Sequence, residues 1–220
     1  MTSVSRAQQE VTRIALHGVK EAGFALAGSG AIRAHGLTER PTEDVDLFTS
    51  NTEPETFDNA VDQVMRDLRQ AGCVVEVERR AAGFTRLQLR TPDGVDLDLD
   101  MGIDWREREP VALEVGPVLA VEDAVGNKIS ALYSRAEPRD YLDVDSIRQA
   151  GLFTDQELLE AAAERDPGFD SRMFATQLAA VQRVTPRDVV AYGVSATELE
   201  ALKERIKRWV VSLEGSEELS

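Results

Sequence analysis

One cysteine, two histidines and 5% aromatic residues in a chain of 220 leave little room for several kinds of chemistry. Cys73 has no second cysteine to pair with, so no internal disulfide holds the fold. Its place in an apolar, strand-like run marks it as a buried, inert thiol rather than a nucleophile. His17 and His35 form no zinc-ligand spacing with Cys73 and no triad, and neither a Walker lysine motif nor a nucleophile elbow occurs. His17 is expected to pack within the first helix. No apolar run is long enough to cross a bilayer and no signal-peptide core opens the sequence, so the expected location is the cytoplasm, with no membrane partner. Positive charge is also scarce. Twenty-five Lys and Arg against 40 Asp and Glu give a net charge of −15, which argues against a generally basic nucleic-acid-binding protein but leaves room for a local basic surface.

What is present is an ordinary globular composition, 42% hydrophobic and 30% charged, in a chain long enough to bury a real core. Its most informative stretch is residues 28–48, GSGAIRAHGLTERPTEDVDLF. An apolar strand, Phe24 to Ala27, leads into Gly28-Ser29-Gly30, and a short helix, Ala31 to His35, follows. A second extended run carries Asp44 and Asp46 at i and i+2, so both carboxylates project from one face. Two such carboxylates repel unless a cation stands between them, and hard oxygen ligands favour Mg²⁺. A glycine-rich turn opening a helix offers N–H groups to phosphate. Together they suggest a magnesium–nucleotide site. The plain alternatives are a capping or solvated aspartate pair and a turn in which glycine is only sterically required.

The first half of the chain mixes strands and helices. Helical periodicity covers residues 5–22, and Phe57 to Leu68 form an amphipathic helix ending near Gly72. Cys73–Glu78 and Phe84–Arg90 alternate as strands. Thr91-Pro92-Asp93-Gly94 is a turn that returns the chain into Val95–Met101. After about residue 110 helices dominate, over Glu122–Arg135, Pro138–Ala150, Asp155–Arg165, Ser171–Arg183 and Thr197–Leu213. Thr154 with Glu157 and Ser195 with Glu198 have capping-box spacing. Gly215–Ser220 are expected to fray. The expected fold class is α+β, a mixed sheet with flanking helices (residues 1–110) and a helical C-terminal lobe (residues 111–220) that completes the site.

A second informative segment is KISALYSRAEPRDYLD, Lys128 to Asp143, which follows the pattern KxxAxxxRxxxRDxxD. Lys128, Leu132 and Arg135 share one helical face, and Pro138 suits the first turn of a new helix. Arg139 and Asp143 have the spacing of a structural i, i+4 bridge. Gly28-Ser29, the short helix and Asp-x-Asp resemble the nucleotidyltransferase superfamily that includes DNA polymerase β. The context RPTEDVDLF and the Lys128–Asp143 block are more similar to its AbiEii/AbiGii toxin branch, which includes the MenT toxins. Weaker similarity runs through DLDMGIDWREREPV and AERDPGFD, so most of the chain is covered.

The resemblance implies a polymerase-β-like core and an Mg²⁺-dependent enzyme. It would transfer a nucleoside monophosphate from an NTP, with CTP or another pyrimidine nucleotide among the candidates, to an RNA end, foremost the tRNA acceptor end. Translation would be blocked until a cognate antitoxin, a separate chain, intervenes. Asp44 and Asp46 become metal ligands, and Gly28, Ser29 and Gly30 the phosphate cradle. Lys128 becomes a phosphate-neutralising cation, and Asp140 a functional carboxylate that would otherwise read as a favourable charge in a helix's first turn. Asp96, Asp98 and Asp100 alternate on one strand face. The resemblance selects Asp100 as the third carboxylate, ahead of Asp98. Arg33 and Arg40 flank the phosphate loop as candidate nucleotide or RNA contacts. Arg79, Arg80, Arg86 and Arg90 are a local basic cluster, and Lys203, Arg205, Lys207 and Arg208 read as a solvated helix face. Transfer to a small molecule, as aminoglycoside nucleotidyltransferases perform, transfer to a protein side chain, and nucleotide binding without transfer are the rival readings.

Overall fold

Alternating burial along residues 44–49 reports the central fact of the fold: Val45, Leu47 and Thr49 are buried while Asp44, Asp46 and Phe48 are half-exposed on the other face. A computed structural model describes residues 3–42 and 44–217. It divides the chain into two compact units, Met1–His35 with Thr42–Val121, and Gly36–Pro41 with Glu122–Ser220.

In the first unit, helix α1 (Ser3–Gly18) and a short 3₁₀ turn precede strand β1 (Ala25–Leu26), helix α2 (Gly28–Ala34) and strand β2 (Asp44–Thr49). Helix α3 (Pro54–Gln70) leads to β3 (Val74–Ala81), β4 (Phe84–Arg90) and β5 (Asp96–Ile103), and then to β6 (Val111–Leu113) and β7 (Gly116–Val118). The sheet order is β3-β4-β5-β2-β1-β7-β6, mixed because β2 runs parallel to β5 and β1 to β7 while the other pairs are antiparallel. Proline at the start of α3 costs no hydrogen bond, and its stripe Phe57, Val61, Val64 and Leu68 is fully buried. That stripe and Val11, Ala15 and Val19 belong to one core with Leu47, Leu87, Leu97, Leu99 and Met101. The phenyl rings of Phe24 and Phe57 lie 5.9 Å apart within it. The turn at Thr91–Gly94 closes with Gly94 N–H on the Thr91 carbonyl at 2.9 Å, and it sets the register of β4 against β5. Cys73 is buried, which pushes its thiol pKa up and keeps it inert.

The second unit is helical: α4 (Val121–Ser134, its first residue belonging to the first unit), α5 (Pro138–Ala150), α6 (Asp155–Arg165), α7 (Ser171–Ala179), α8 (Pro186–Val189) and α9 (Ala196–Glu217). The capping boxes at Thr154/Glu157 and Ser195/Glu198 form as the spacing suggests, and Glu137/Asp140 and Thr185/Asp188 add two more. Tyr133, Phe169, Phe174 and Trp209 stack into an aromatic core, with Phe174 edge-on to Trp209 at 5.4 Å.

Several expectations need correction. Gly215 and the two residues after it continue α9 rather than fraying, while residues 218–220 lie outside the described residues. His17 is exposed, not packed, because the buried stripe of α1 runs through Val11, Ala15 and Leu16. Lys203 is buried, and Arg205 bonds Asp145 at 2.6 Å, so the basic stretch of α9 is not simply a solvated face. The hairpin β6–β7 was not anticipated. Its strands are three residues each and one contains Pro117, which leaves no period to read.

Candidate functional site

The glycine loop that opens α2 is built by a conformational requirement. Gly28 opens α2 with φ +56°, a region that costs an L-residue strain. A Cβ placed on Gly28 would stand 1.8 Å from Oδ2 of Asp46, so only glycine lets this carboxylate lie against the loop. The Ala27 N–H donates to the Asp46 carbonyl at 2.8 Å, tying the loop to β2 at the same residue. The N–H groups of the first helical turn have no partner within the helix. Ser29 is buried in that turn. Gly30 has a steric reason of its own: a Cβ there would come within 2.9 Å of Leu26 Cδ1, where α2 crosses β1.

Beside the loop the aspartates form a two-row ladder. Asp44 is the register partner of Asp98, and Asp46 of Asp100, across the parallel pair β2–β5. Partners on adjacent strands stand about 4.8 Å apart and face the same way. Asp44, Asp46 and Asp98 are half-buried, whereas Asp100 is only 8% exposed. Asp96, at the end of β5, is exposed and opposite Arg90. The donor set is all oxygen. Two carboxylates of one strand, one of them seated on the glycine loop, have the ligand chemistry for a hard divalent cation whose remaining ligands would come from substrate and water. Asp100 is engaged by a cation of the chain itself. Arg86 Nε donates to its Oδ1 at 2.7 Å and Nη2 to its Oδ2 at 2.6 Å. These bonds, with the negative charge of Asp100, Asp98 and Glu78 around it, raise the Arg86 pKa further. Among the described residues no three His, Cys, Asp or Glu side chains are grouped so as to hold a metal ion by themselves.

The second unit carries the other residues. Lys128 is no surface lysine. Its ammonium lies 2.9 Å from Asp143 Oδ2, and both side chains are buried. Asp143 also receives Arg40, which donates from Nε at 2.8 Å and from Nη2 at 3.0 Å. Arg40 is buried too, bonds the Pro41 carbonyl at 2.9 Å and lies over the Tyr192 ring at 4.9 Å. Burial pushes the Asp143 pKa up, but the charges of Lys128 and Arg40 outweigh it and hold the carboxylate below its usual range. Asp140, fully buried, accepts the Glu137 N–H at 3.1 Å and both Arg135 nitrogens at 2.9 Å. The geometry therefore gives it a capping role. Arg139 donates to Glu137 at 2.9 Å.

Asp143 and Arg40 were missed as a pair because 103 residues separate them. The Arg86–Asp100 pair carried a usable signal. The Thr91–Gly94 turn sets Arg90 opposite Asp96, and counting outward in twos brings Arg86 opposite Asp100.

Arg33 and His35 are placed by structural bonds. Arg33 Nη2 donates to Ser5 Oγ at 2.6 Å, and His35 Nε2 lies 2.8 Å from the Leu119 carbonyl. A cavity of about 490 Å³ adjoins Arg33, Gly30 and Asp44. Leu26 and Val45 also line it. No helix among the described residues is long and apolar enough to cross a membrane.

Two Helicobacter pylori structures share the fold. The protein JHP933 aligns at a TM-score of 0.56 with 16% identity, covering 100% of this chain and 98% of its own. A putative nucleotidyltransferase aligns at 0.55 with 18% identity, covering 97% and 99%. MenT4, a nucleotidyltransferase toxin of Mycobacterium tuberculosis, aligns at 0.54 with 16% identity, covering 93% of this chain and 83% of its own. No curated protein matches the sequence significantly. The family model described as nucleotidyl transferase AbiEii toxin, type IV toxin–antitoxin system, matches residues 12–214, and the chain belongs to that family of nucleotidyltransferase toxins.

Proposed function

We propose that this chain transfers a nucleoside monophosphate from an NTP to the 3′ end of an RNA, with the tRNA acceptor end as its target. The observation that carries this reading is the Asp46 carboxylate lying against the backbone of Gly28, in register with Asp100 on the next strand. A triphosphate on the α2 amides would present its phosphates directly to the carboxylate ladder. Bound Mg²⁺, held by Asp44 and Asp46 with Asp100 as a third ligand, supplies charge neutralisation for an in-line displacement.

The chain's own residues supply the rest. Ser29 and the first-turn N–H groups of α2 hold the terminal phosphates and stabilise the charge of the departing pyrophosphate. Asp100 takes the proton of the acceptor hydroxyl as its oxygen bonds to the α-phosphorus and the bond to pyrophosphate breaks. Asp140 supports α5 rather than touching substrate. A separate antitoxin chain neutralises the enzyme, in keeping with the family's toxin–antitoxin description.

The acidic open face beside Asp98, where Glu76 and Asp96 line a groove with Gln88 and Arg90, gives one specific reason to keep a second reading, a small cationic acceptor. Incubating the purified protein with Mg²⁺, total tRNA and each α-³²P-labelled NTP in turn decides between them. Label on tRNA from one NTP, absent with Asp44→Ala/Asp46→Ala, is the expected result. No transfer to tRNA by a folded, NTP-binding protein would overturn the RNA reading.

A further inference from the structure

One row across three strands reads Asp46, Asp100, Arg86. The guanidinium fork of Arg86 engages both oxygens of Asp100, at 2.7 and 2.6 Å. Any divalent cation shared by Asp46 and Asp100 needs one of those same oxygens and would stand within a few ångströms of a fixed positive charge. Each oxygen keeps a second lone pair, so the two cations compete at Asp100 through their like charge rather than through a lack of acceptors.

The fold also provides somewhere for Arg86 to go. Register slips between Val77 and Arg79, so Glu78 is the extra residue of a β-bulge facing β4. Bulges re-aim side chains and recur beside active sites. Glu78 Oε2 already lies 4.0 Å from Arg86 Nε. The Arg86 side chain is 41% exposed and Asp100 11%, so the arginine can swing without unpacking the core.

We propose that Arg86 is a displaceable counter-ion of Asp100, which holds the third carboxylate while the metal is absent and moves to Glu78 when a divalent cation arrives. Arg86 and Glu78 are then positioning residues for Asp100, and they set how much metal the enzyme needs. The proposal rests on the assignment of Asp44, Asp46 and Asp100 as the metal-binding carboxylates.

Mn²⁺ titrated into the nucleotide-free protein and followed by electron paramagnetic resonance tests it without any turnover. Arg86→Gln should bind Mn²⁺ about fivefold more tightly, the scale expected for losing one half-exposed ion pair. Arg86→Lys, a point charge without the fork, should fall between it and the wild type. Glu78→Gln should weaken binding two- to threefold, on the order of one exposed pair, and should have no effect once Arg86 is Gln. Unchanged or weaker binding by both Arg86 variants, or an equal effect of Glu78→Gln with and without Arg86, would overturn the proposal. If Asp44→Asn/Asp46→Asn binds Mn²⁺ like the wild type, the metal-site assignment fails instead, and the two failures are told apart.

Discussion

Replacing Asp143 by Asn leaves the shape of its site intact and removes one charge from a cluster of three. Two forked bonds from Arg40, at 2.8 and 3.0 Å, and one ammonium contact from Lys128, at 2.9 Å, converge on a carboxylate whose side chain is 0% exposed. Arg40 and Lys128 are each 7% exposed, so solvent cannot replace the lost partner. Removing one member of a buried ion pair costs about 3–5 kcal/mol, because the remaining charge stays buried and uncompensated. At roughly 2–4 °C per kcal/mol for a chain of this size, Tm should fall by about 6–20 °C. Calorimetry at pH 7 measures this, with Glu10→Gln as the comparison. The Glu10–Arg13 pair has 55% and 63% of its side chains exposed, and its loss should leave Tm unchanged. The acid limb gives the sign. Because Asp143 is held below its ordinary value of 3.8, its contribution is complete above that pH and is lost as pH falls through the lower folded-state value. The gap between wild type and variant should therefore close below about pH 3.8. A Tm within about 2 °C of wild type at pH 7, equivalent to under ~1 kcal/mol, would refute the reasoning.

Gly28→Ala forces a Cβ against the Asp46 carboxylate at a positive φ; it should cost about 1–3 kcal/mol in a denaturant melt and lower kcat on the order of a hundredfold by displacing the loop. Thr85 is fully buried and its hydroxyl has no hydrogen-bond partner among the described residues, so Thr85→Val should stabilise by ~1 kcal/mol in the same melt. Asp140→Asn should lower Tm through the lost cap and Arg135 bonds while kcat of the remaining folded enzyme stays within about threefold, a size below that of losing a catalytic group.

The legible parts of this molecule are those whose signal is local. Asp44 and Asp46 could be placed on one strand face because the strand period is two residues, and Gly28 could be placed at a tight turn because its freedom of φ is a property of the residue. Helix ends at Thr154 and Ser195 were equally readable, since a capping box closes over four residues. The electrostatics of the helical unit were not readable in that way. Lys128 looks like a surface lysine until Asp143 and Arg40 are brought to it across the fold. Arg40 sits beside the phosphate loop in sequence, yet the six residues Gly36–Pro41 belong to the helical unit. Arg86 lay between the two cases. Its pairing with Asp100 follows from a turn visible in the sequence, but the bulge that brings in Glu78 breaks the count and shows only in the structure.

The most direct test of the proposed chemistry is the mass of the tRNA 3′-terminal fragment after incubation with the wild-type protein, Mg²⁺ and NTP. A gain of one nucleoside monophosphate on the 3′ end, with one pyrophosphate released per addition and neither seen with Asp44→Ala/Asp46→Ala, is the predicted result. Pyrophosphate release with an unchanged tRNA mass, or a gain that survives in the double variant, would contradict it.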